Sequence, residues 1–493
     1  MAVKHHILFS RLRVLGFCRV LSSCTPQALS EVLASIGSLD DIEASLNQLD
    51  VEVTPAIITQ VINSCNCNTG GGSSSTRKLL RFFSWCRLKN PAALGEEAFN
   101  HAIQTFAELG DITAVGISIA DLHKEGGKLS PATFSLVVET LVKAGKEDEA
   151  VRLLRDLERK KLLPCCDGTG KSVWSSSLAI VHALCAKGHA RKAQGVIWHH
   201  KSELSVGFAA SVVQRSLLHG WCVRGNIKEA RRVMGDMKSL GILLGLPSYN
   251  DLLRCICYRN LRFNPSALVS EATDLLAEMR SCGILPTASS FNILLSCLGK
   301  VRRVKEAYGI LYLMRQGKAG CSPDWVSYYL VIRVLYLSGR FVRGNKLMDQ
   351  MLGDGLSPDV KFYHGLIGVL CGVEKLDHAL NVFEQMKKFC ARNTGPTYDL
   401  LIAKLCRNGK FEQGRNLWNE AVQRGITLRC SRDLLDPLKT IVFKPRRPVN
   451  KLHPWDYKKV GYRRIKRAAR TKMKMKRRKP HKFIRLLESR VIR

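Results

Sequence analysis

Residues Phe362 to Lys388 read FYHGLIGVLCGVEKLDHALNVFEQMKK, and the spacing of their apolar side chains decides the fold. Tyr363, Leu366, Ile367, Leu370 and Cys371 fall at i, i+3, i+4, i+7 and i+8, one stripe of a helix. Ala379, Val382, Phe383 and Met386 repeat the pattern after a break at Gly372 to Lys375. The stretch is predicted to be two short amphipathic helices joined as a hairpin. A unit this small cannot bury either stripe alone, so it must share a core with neighbours of its own kind.

The neighbours are there. A frame that starts at Val360 can be laid on the chain nine times, starting at Glu96, Pro131, Trp174, Ser211, Leu246, Ala288, Trp325, Val360 and Gly395. Most starts are 35 residues apart, and the longer intervals read as loop insertions such as RNLRFNPSALVS. Each recurring residue has a physical task. Gly110, Gly145, Gly188, Gly225, Gly339 and Gly409 end the first helix, where a left-handed cap is needed. Ala150, Ala193, Ala230, Ala272, Ala307 and Ala379 open the inner face of the second helix and let the pair approach closely. Leu157, Met237, Met279, Met314, Met351 and Met386 share one inward site, and Cys185, Cys222, Cys257, Cys371 and Cys406 share another. Pro164, Pro286, Pro323 and Pro358 stop the second helix.

Sulfur at fixed helical sites could also be a metal or cofactor box, but each copy sits inward beside leucines, which is core packing. Of the 18 cysteines, none forms the paired CxxC of a zinc site, and the pattern suits buried free thiols in a reducing compartment. No apolar run of about 18 residues is present, so no membrane span is expected. No cofactor is expected, and no Gly-rich phosphate loop or nuclease-like carboxylate cluster is visible.

The charge points to a polyanionic partner. Lys and Arg outnumber Asp and Glu 77 to 41, a formal +36. From Lys439 to Arg493 there are 22 Lys or Arg against only Asp456 and Glu488. This tail interleaves its cations with Trp455, Tyr457, Tyr462 and Phe483, groups able to hold phosphates and stack on exposed bases. Arg463, Arg464, Lys466, Arg467, Arg470, Lys476, Arg477, Arg478 and Lys479 form its densest part and are candidate RNA contacts. A solvated charge run is the plainer alternative. At the other end, Lys4, Arg11, Arg13 and Arg19 alternate with Ile7, Leu8, Leu12 and Leu15, with no acid before Glu31. That is the pattern of a mitochondrial presequence over residues 1–30, with a chloroplast address as the alternative.

A 35-residue helix pair ending in Pro-Asp, as in CSPD and LSPD, resembles the P-type pentatricopeptide repeat family of plant organelles. A tetratricopeptide array would instead have a 34-residue period and no Pro-Asp ending. The resemblance is strong over residues 96–429 and weaker over 51–95, where RKLLRFFSWCRLKN looks like a degenerate leading repeat. It implies an all-α, right-handed superhelical solenoid of about nine to ten helix-turn-helix repeats, with a leading helical region at 31–95 and a basic, partly disordered extension at 430–493. It further implies an organellar RNA as partner, single-stranded or ribosomal, and the mitochondrial ribosome as a possible host particle.

In this family one residue near the start of the first helix and the last residue of the repeat jointly contact one base. The resemblance carries that role to Asn100 with Ser130, Asn250 with Thr287, and Asn292 with Asp324, all suggesting pyrimidines. Plain helix-start hydrogen bonding is the alternative for the asparagines. The remaining pairs, among them Leu178 with Phe208 and Tyr329 with Asp359, do not look like base readers. His123-Lys124-Glu125 matches half of the deaminase signature of editing relatives, but Pro164-Cys165-Cys166 lacks the CxxC that would hold zinc, so no enzyme is expected. Two functions remain open: a structural or ribosome-associated RNA-binding component, and a gene-specific factor for the stability, processing or translation of one transcript.

Overall fold

The computed structural model describes residues 25–35, 38–49, 51–68, 73–163, 175–205, 207–390 and 395–439, and every element among them is helical. The chain divides into two compact units between Leu243 and Leu244. The tail cations from Arg463 to Lys479 and nearly all of the expected leader lie outside the described residues.

Glu96, Pro131, Leu246, Ala288, Trp325, Val360 and Gly395 each begin a helix, as the 35-residue frame predicts. In the first unit the hairpins are Glu96–Glu108 with Ile112–Lys124, Pro131–Lys143 with Glu147–Arg159, Ser176–Ala186 with Ala190–His199, and Gly207–Arg224 with Ile227–Ser239. In the second they are Leu246–Phe263 with Leu268–Ser281, Ala288–Lys300 with Val304–Arg315, Trp325–Leu337 with Phe341–Gly353, Val360–Gly372 with Leu376–Phe389, and Gly395–Arg407 with Phe411–Gln423. Within each unit every first helix packs on its own second helix and on the first helix of the next repeat. Two rows result, and the shared core between them buries the apolar stripes read from the sequence. Tyr363, Leu366, Ile367, Leu370, Phe383 and Met386 are all buried.

The turn inside each hairpin explains the glycine series. All six predicted cap glycines hold φ between 72° and 80°, the left-handed region that costs other residues about 1–2 kcal/mol. Two repeats lack the glycine and adopt the same turn: Arg302 has φ 54° and Glu374 φ 58°. The repeat that starts at Leu246 has neither. Its first helix runs on to Phe263, and Asn260, at the cap position, is buried and donates from Nδ2 to Glu271 Oε2 at 2.8 Å. The insertion RNLRFNPSALVS is therefore mostly helix, one added turn and the start of the second helix, and not a loop.

Other boundaries also shift. The helix expected from Ser211 begins one turn earlier, at Gly207. Two further hairpins precede the array, Thr25–Ala34 with Leu39–Gln48 and Pro55–Asn68 with Ser73–Lys89, and their first helices pack in series onto Glu96–Glu108. The sequence frame missed the first of them. Ala28 and Leu29 are buried in it, so the described helical region begins within the stretch read as a leader. At the far end Arg415 Nη2 donates to the Leu435 carbonyl at 3.3 Å. The fold thus reaches past 430.

The small residue on the second helix faces the sulfur site on the first. A methyl on Gly414 would sit 2.7 Å from Cys406 Sγ, and the corresponding Ala379 and Cys371 are both buried. Burial pushes the Cys371 thiol up to about 11 and the Cys185 thiol to about 12, so both stay protonated at neutral pH. In the repeat from Trp325 the two positions hold Tyr336 and Gly344, and a methyl on Gly344 would sit 2.4 Å from Tyr336 Cε1. The large ring occupies the space that alanine fills elsewhere. Gly344→Ala should therefore cost about 1–3 kcal/mol by overpacking, and Tyr336→Cys should cost a similar or larger amount by leaving a cavity. The double variant rebuilds the Cys and Ala pairing of the other repeats, so in urea or thermal melts its loss should be smaller than the two single losses added. Strict additivity would show that the two positions do not share one slot.

Candidate nucleic-acid interface

The reader positions lie near the start of each first helix, at the seam with the following repeat, because the first helices stack directly on one another. At this seam their side chains meet the backbone entering the next helix, where the first amides have no helical partner.

Asn100 is consumed by that seam. Its Nδ2 donates to the carbonyls of Glu96 at 2.9 Å and Lys128 at 3.0 Å, and its Oδ1 accepts from the Ser130 amide at 2.7 Å. The residue is only 7% exposed. Ser130 in turn caps the next helix by accepting from the Thr133 amide at 3.2 Å. Asn100 and Ser130 are thus brought together as a splice between repeats, with both amide protons used. Asp399 does the same work, its carboxylate accepting from the amides of Arg429 and Cys430 at 3.1 Å.

Asn250 and Asn292 keep more in hand. Asn292 donates from Nδ2 to both Asp324 oxygens, at 3.0 and 3.1 Å, so this predicted pair is in direct contact. Its Oδ1 is 2.7 Å from Ser327 Oγ, which donates. Asp324 also caps the following helix, accepting from the Ser327 amide at 2.7 Å. Asn250 and Thr287 meet through an intermediary. Ser290 Oγ donates to Asn250 Oδ1 at 2.7 Å and accepts from the Thr287 amide at 3.3 Å. Thr287 Oγ1 is buried without a hydrogen-bond partner. Asn250, Thr287, Asn292 and Asp324 are all partly exposed, in contrast to Asn100.

The hydroxyls of Ser290 and Ser327 were not singled out from the sequence. The signal was present: Thr133, Ser290, Ser327 and Thr397 all occupy the third place of a repeat. They read as ordinary helix-start residues until the seam shows what they face. Elsewhere the reader positions are closed or replaced. Leu178 is buried, while Tyr329 lies against Phe362 and over Gly365, whose added methyl would meet Tyr329 Oη at 2.7 Å.

The second helices are joined differently, by ion pairs that neutralise their charge. Arg87 meets Asp121 at 2.8 Å, Lys192 meets Asp148 at 2.7 Å, Arg315 meets Asp354 at 3.0 Å and Lys387 meets Glu420 at 2.8 Å. The hydroxyl of Tyr328 and then Arg315 hold the Asp354 carboxyl below the usual carboxylate range. On the first helices cations lie beside aromatics, as where Lys300 Nζ sits 4.5 Å from the Tyr258 ring centroid. Of the half deaminase signature, Glu125 pairs with Arg87 at 3.6 Å, and Pro164 to Cys166 fall outside the described residues. Among the described residues no group of three or more His, Cys, Asp or Glu could hold a metal, and no helix is long and apolar enough to cross a membrane.

The repeat sequence matches known proteins. The family model for the pentatricopeptide repeat domain matches residues 346–407, and that for the PPR repeat matches 132–162, 215–242, 289–317 and 396–426. A mitochondrial pentatricopeptide repeat-containing protein of Arabidopsis thaliana is 46% identical over 453 residues, 91% of this chain and 90% of that one. The chain belongs to the pentatricopeptide repeat family. The small ribosomal subunit protein mL104 (rPPR9) of Arabidopsis thaliana is 29% identical over 387 residues, 78% of this chain and 70% of that one. Among solved structures, pentatricopeptide repeat protein PPR10 in complex with an 18-nt psaJ RNA element aligns at 17% identity and a TM-score of 0.43, over 81% of this chain and 60% of that one.

The seam makes the asparagines separable by stability. Asn100→Ala leaves the Ser130 amide without its partner, at about 1–3 kcal/mol if it stays buried and unsatisfied, and removes the bridge from Glu96 to Lys128. Asn250→Ala removes one bond from a partly exposed site. The expected result is a melting point lowered several degrees more by Asn100→Ala than by Asn250→Ala, and equal losses would contradict the splice.

Proposed function

We propose that this protein is a mitochondrial RNA-binding member of the family that acts by binding alone, as a structural component of a ribosomal particle. The observation that carries the reading is how the reader side chains are used. Of the expected reader pairs, Asn100 is spent on its repeat seam, as is Asp399 elsewhere, while Asn250 with Thr287 and Asn292 with Asp324 remain partly exposed. Two adjacent readers recognise two bases, a match expected at about one in 16 random dinucleotides, far too common to select one transcript. Affinity must then come chiefly from contacts blind to sequence. The 22 basic residues from Lys439 onward supply them, with Arg463 to Lys479 as the main phosphate contacts. The relative named as a small ribosomal subunit protein supports the same assignment. Binding folded ribosomal RNA requires shape and charge more than a base code, which is what the chain offers. The chemistry asked of the protein is thus recognition, with no catalytic step. The two intact reader pairs lie in consecutive repeats, and they favour a second reading, a transcript-binding factor with a short recognition element.

Density-gradient sedimentation of mitochondrial lysate, prepared without RNase, tests the assignment. The protein should travel with ribosomal particles in moderate salt, and a chain ending at Lys439 should move to the top of the gradient with its helicity retained by circular dichroism. Wild-type protein that sediments apart from ribosomal particles, associated with one transcript, would replace the structural reading with the second.

A further inference from the structure

We propose that Ser290 and Ser327 are positioning residues for base recognition: each stands in the repeat after a reader asparagine and fixes which edge of its amide is offered to RNA. This rests on the reading of Asn250 and Asn292 as base contacts. An asparagine amide is nearly symmetric in shape, and rotating it by half a turn exchanges a donor for an acceptor. A reader free to rotate would accept either a carbonyl or an amino group and discriminate poorly. Here the rotation is blocked from behind. Both serine hydroxyls are fully buried, at 0% exposure, and both lie 2.7 Å from the asparagine Oδ1.

At Asn292 the neighbouring carboxylate favours one arrangement. In the Asn292 site the Ser327 hydroxyl has a single proton and faces two acceptors, Asn292 Oδ1 at 2.7 Å and Asp324 Oδ1 at 2.8 Å. Asp324 Oδ1 is already served by the Ser327 amide at 2.7 Å and by Asn292 Nδ2 at 3.0 Å, so the hydroxyl proton goes to the asparagine. Turning the amide over would set its oxygen against the carboxylate and lose both Nδ2 bonds. In the Asn250 site Ser290 Oγ accepts from the Thr287 amide at 3.3 Å and donates to Asn250 Oδ1 at 2.7 Å, the same arrangement without the carboxylate. Each asparagine therefore holds its oxygen on the serine hydroxyl, and at Asn292 the amino group lies on the Asp324 carboxylate, the partner of the reader pair. The amino edge so oriented suits a base presenting a carbonyl.

Other repeats show the same coupling of positions. His364 meets the hydroxyl at the same place of its following repeat, Thr397, at 2.9 Å. Where the reader position is Leu178 or Tyr329, the residue at that place is Val213 or Phe362.

The test uses the full chain and a pool of random 12-nucleotide RNAs, with bound and unbound fractions sequenced and total affinity measured alongside. Wild type should enrich one carbonyl-presenting base at each of two neighbouring positions. Ser327→Ala should lower the enrichment at one position by about tenfold, the loss expected when a buried polar selector stops being oriented, while total affinity changes by less than about twofold. Ser327→Thr, which keeps the hydroxyl, should behave as wild type, and Ser290→Ala should move the loss to the adjacent position. If Asn292→Ala abolishes the preference but Ser327→Ala leaves it as in wild type, the positioning role is wrong and the reader assignment stands. If Asn292→Ala itself leaves the enrichment unchanged, both fail. A uniform loss of binding in Ser327→Ala that Ser327→Thr does not restore would mean a purely structural residue.

Discussion

The close approach of the two helices within each hairpin governs everything else in this chain. It is set by a small residue on the second helix facing a fixed site on the first, as where Gly414 faces Cys406 and Gly344 faces Tyr336. Only with this spacing do the apolar stripes interlock, because side chains a methyl larger collide and side chains a methyl smaller leave a void. The hairpin so formed is a wedge whose outer surfaces must be covered by the next repeat. First helices therefore stack on first helices, and the start of each one lies against the preceding reader side chain. The position from which this family contacts bases is thus also the position at which repeats are joined, and a given side chain serves the joint, the RNA, or both in unequal measure.

That double duty explains what the sequence disclosed and what it withheld. Periodicity, capping glycines and the inward cysteines were legible because each reports a local requirement: a stripe, a left-handed turn, a small contact. The glycine-less turns at Arg302 and Glu374 were not, since there the packing of the hairpin imposes φ near 55° against the residue's own preference. Nor was the long helix Leu246–Phe263, in which buried Asn260 finds a partner in Glu271 and the chain continues where other repeats turn. The leading hairpin at Thr25–Ala34 was obscured because its residues overlap the basic, acid-free stretch that reads as a leader. At the interface the asparagines could be picked out in advance, but whether an asparagine is spent or available depends on atoms 28 to 40 residues away, such as Lys128 and Ser290. No pattern within a single repeat carries that information.

The two rows of helices divide the work of cohesion. The second helices are stapled by ion pairs such as Lys387 with Glu420, which neutralise their charge and suit a surface without a polyanionic ligand. The first helices are joined by amides, hydroxyls and helix caps, which hold the repeats in register while leaving the amino groups of Asn250 and Asn292 at the seam. On the proposed reading, selectivity is confined to two bases and the strong binding is left to the basic tail.

The central claim is that RNA touches this protein through the tail and through the open seams of two repeats. Ultraviolet cross-linking of the native complex, followed by peptide mass spectrometry, locates those contacts directly. The account predicts cross-linked peptides from residues 440–493 and from the helix starts around Asn250 and Asn292, with none from the second helices or from the seam at Asn100. Cross-links concentrated on the second helices, or spread evenly over all the repeats with the tail unmarked, would contradict it.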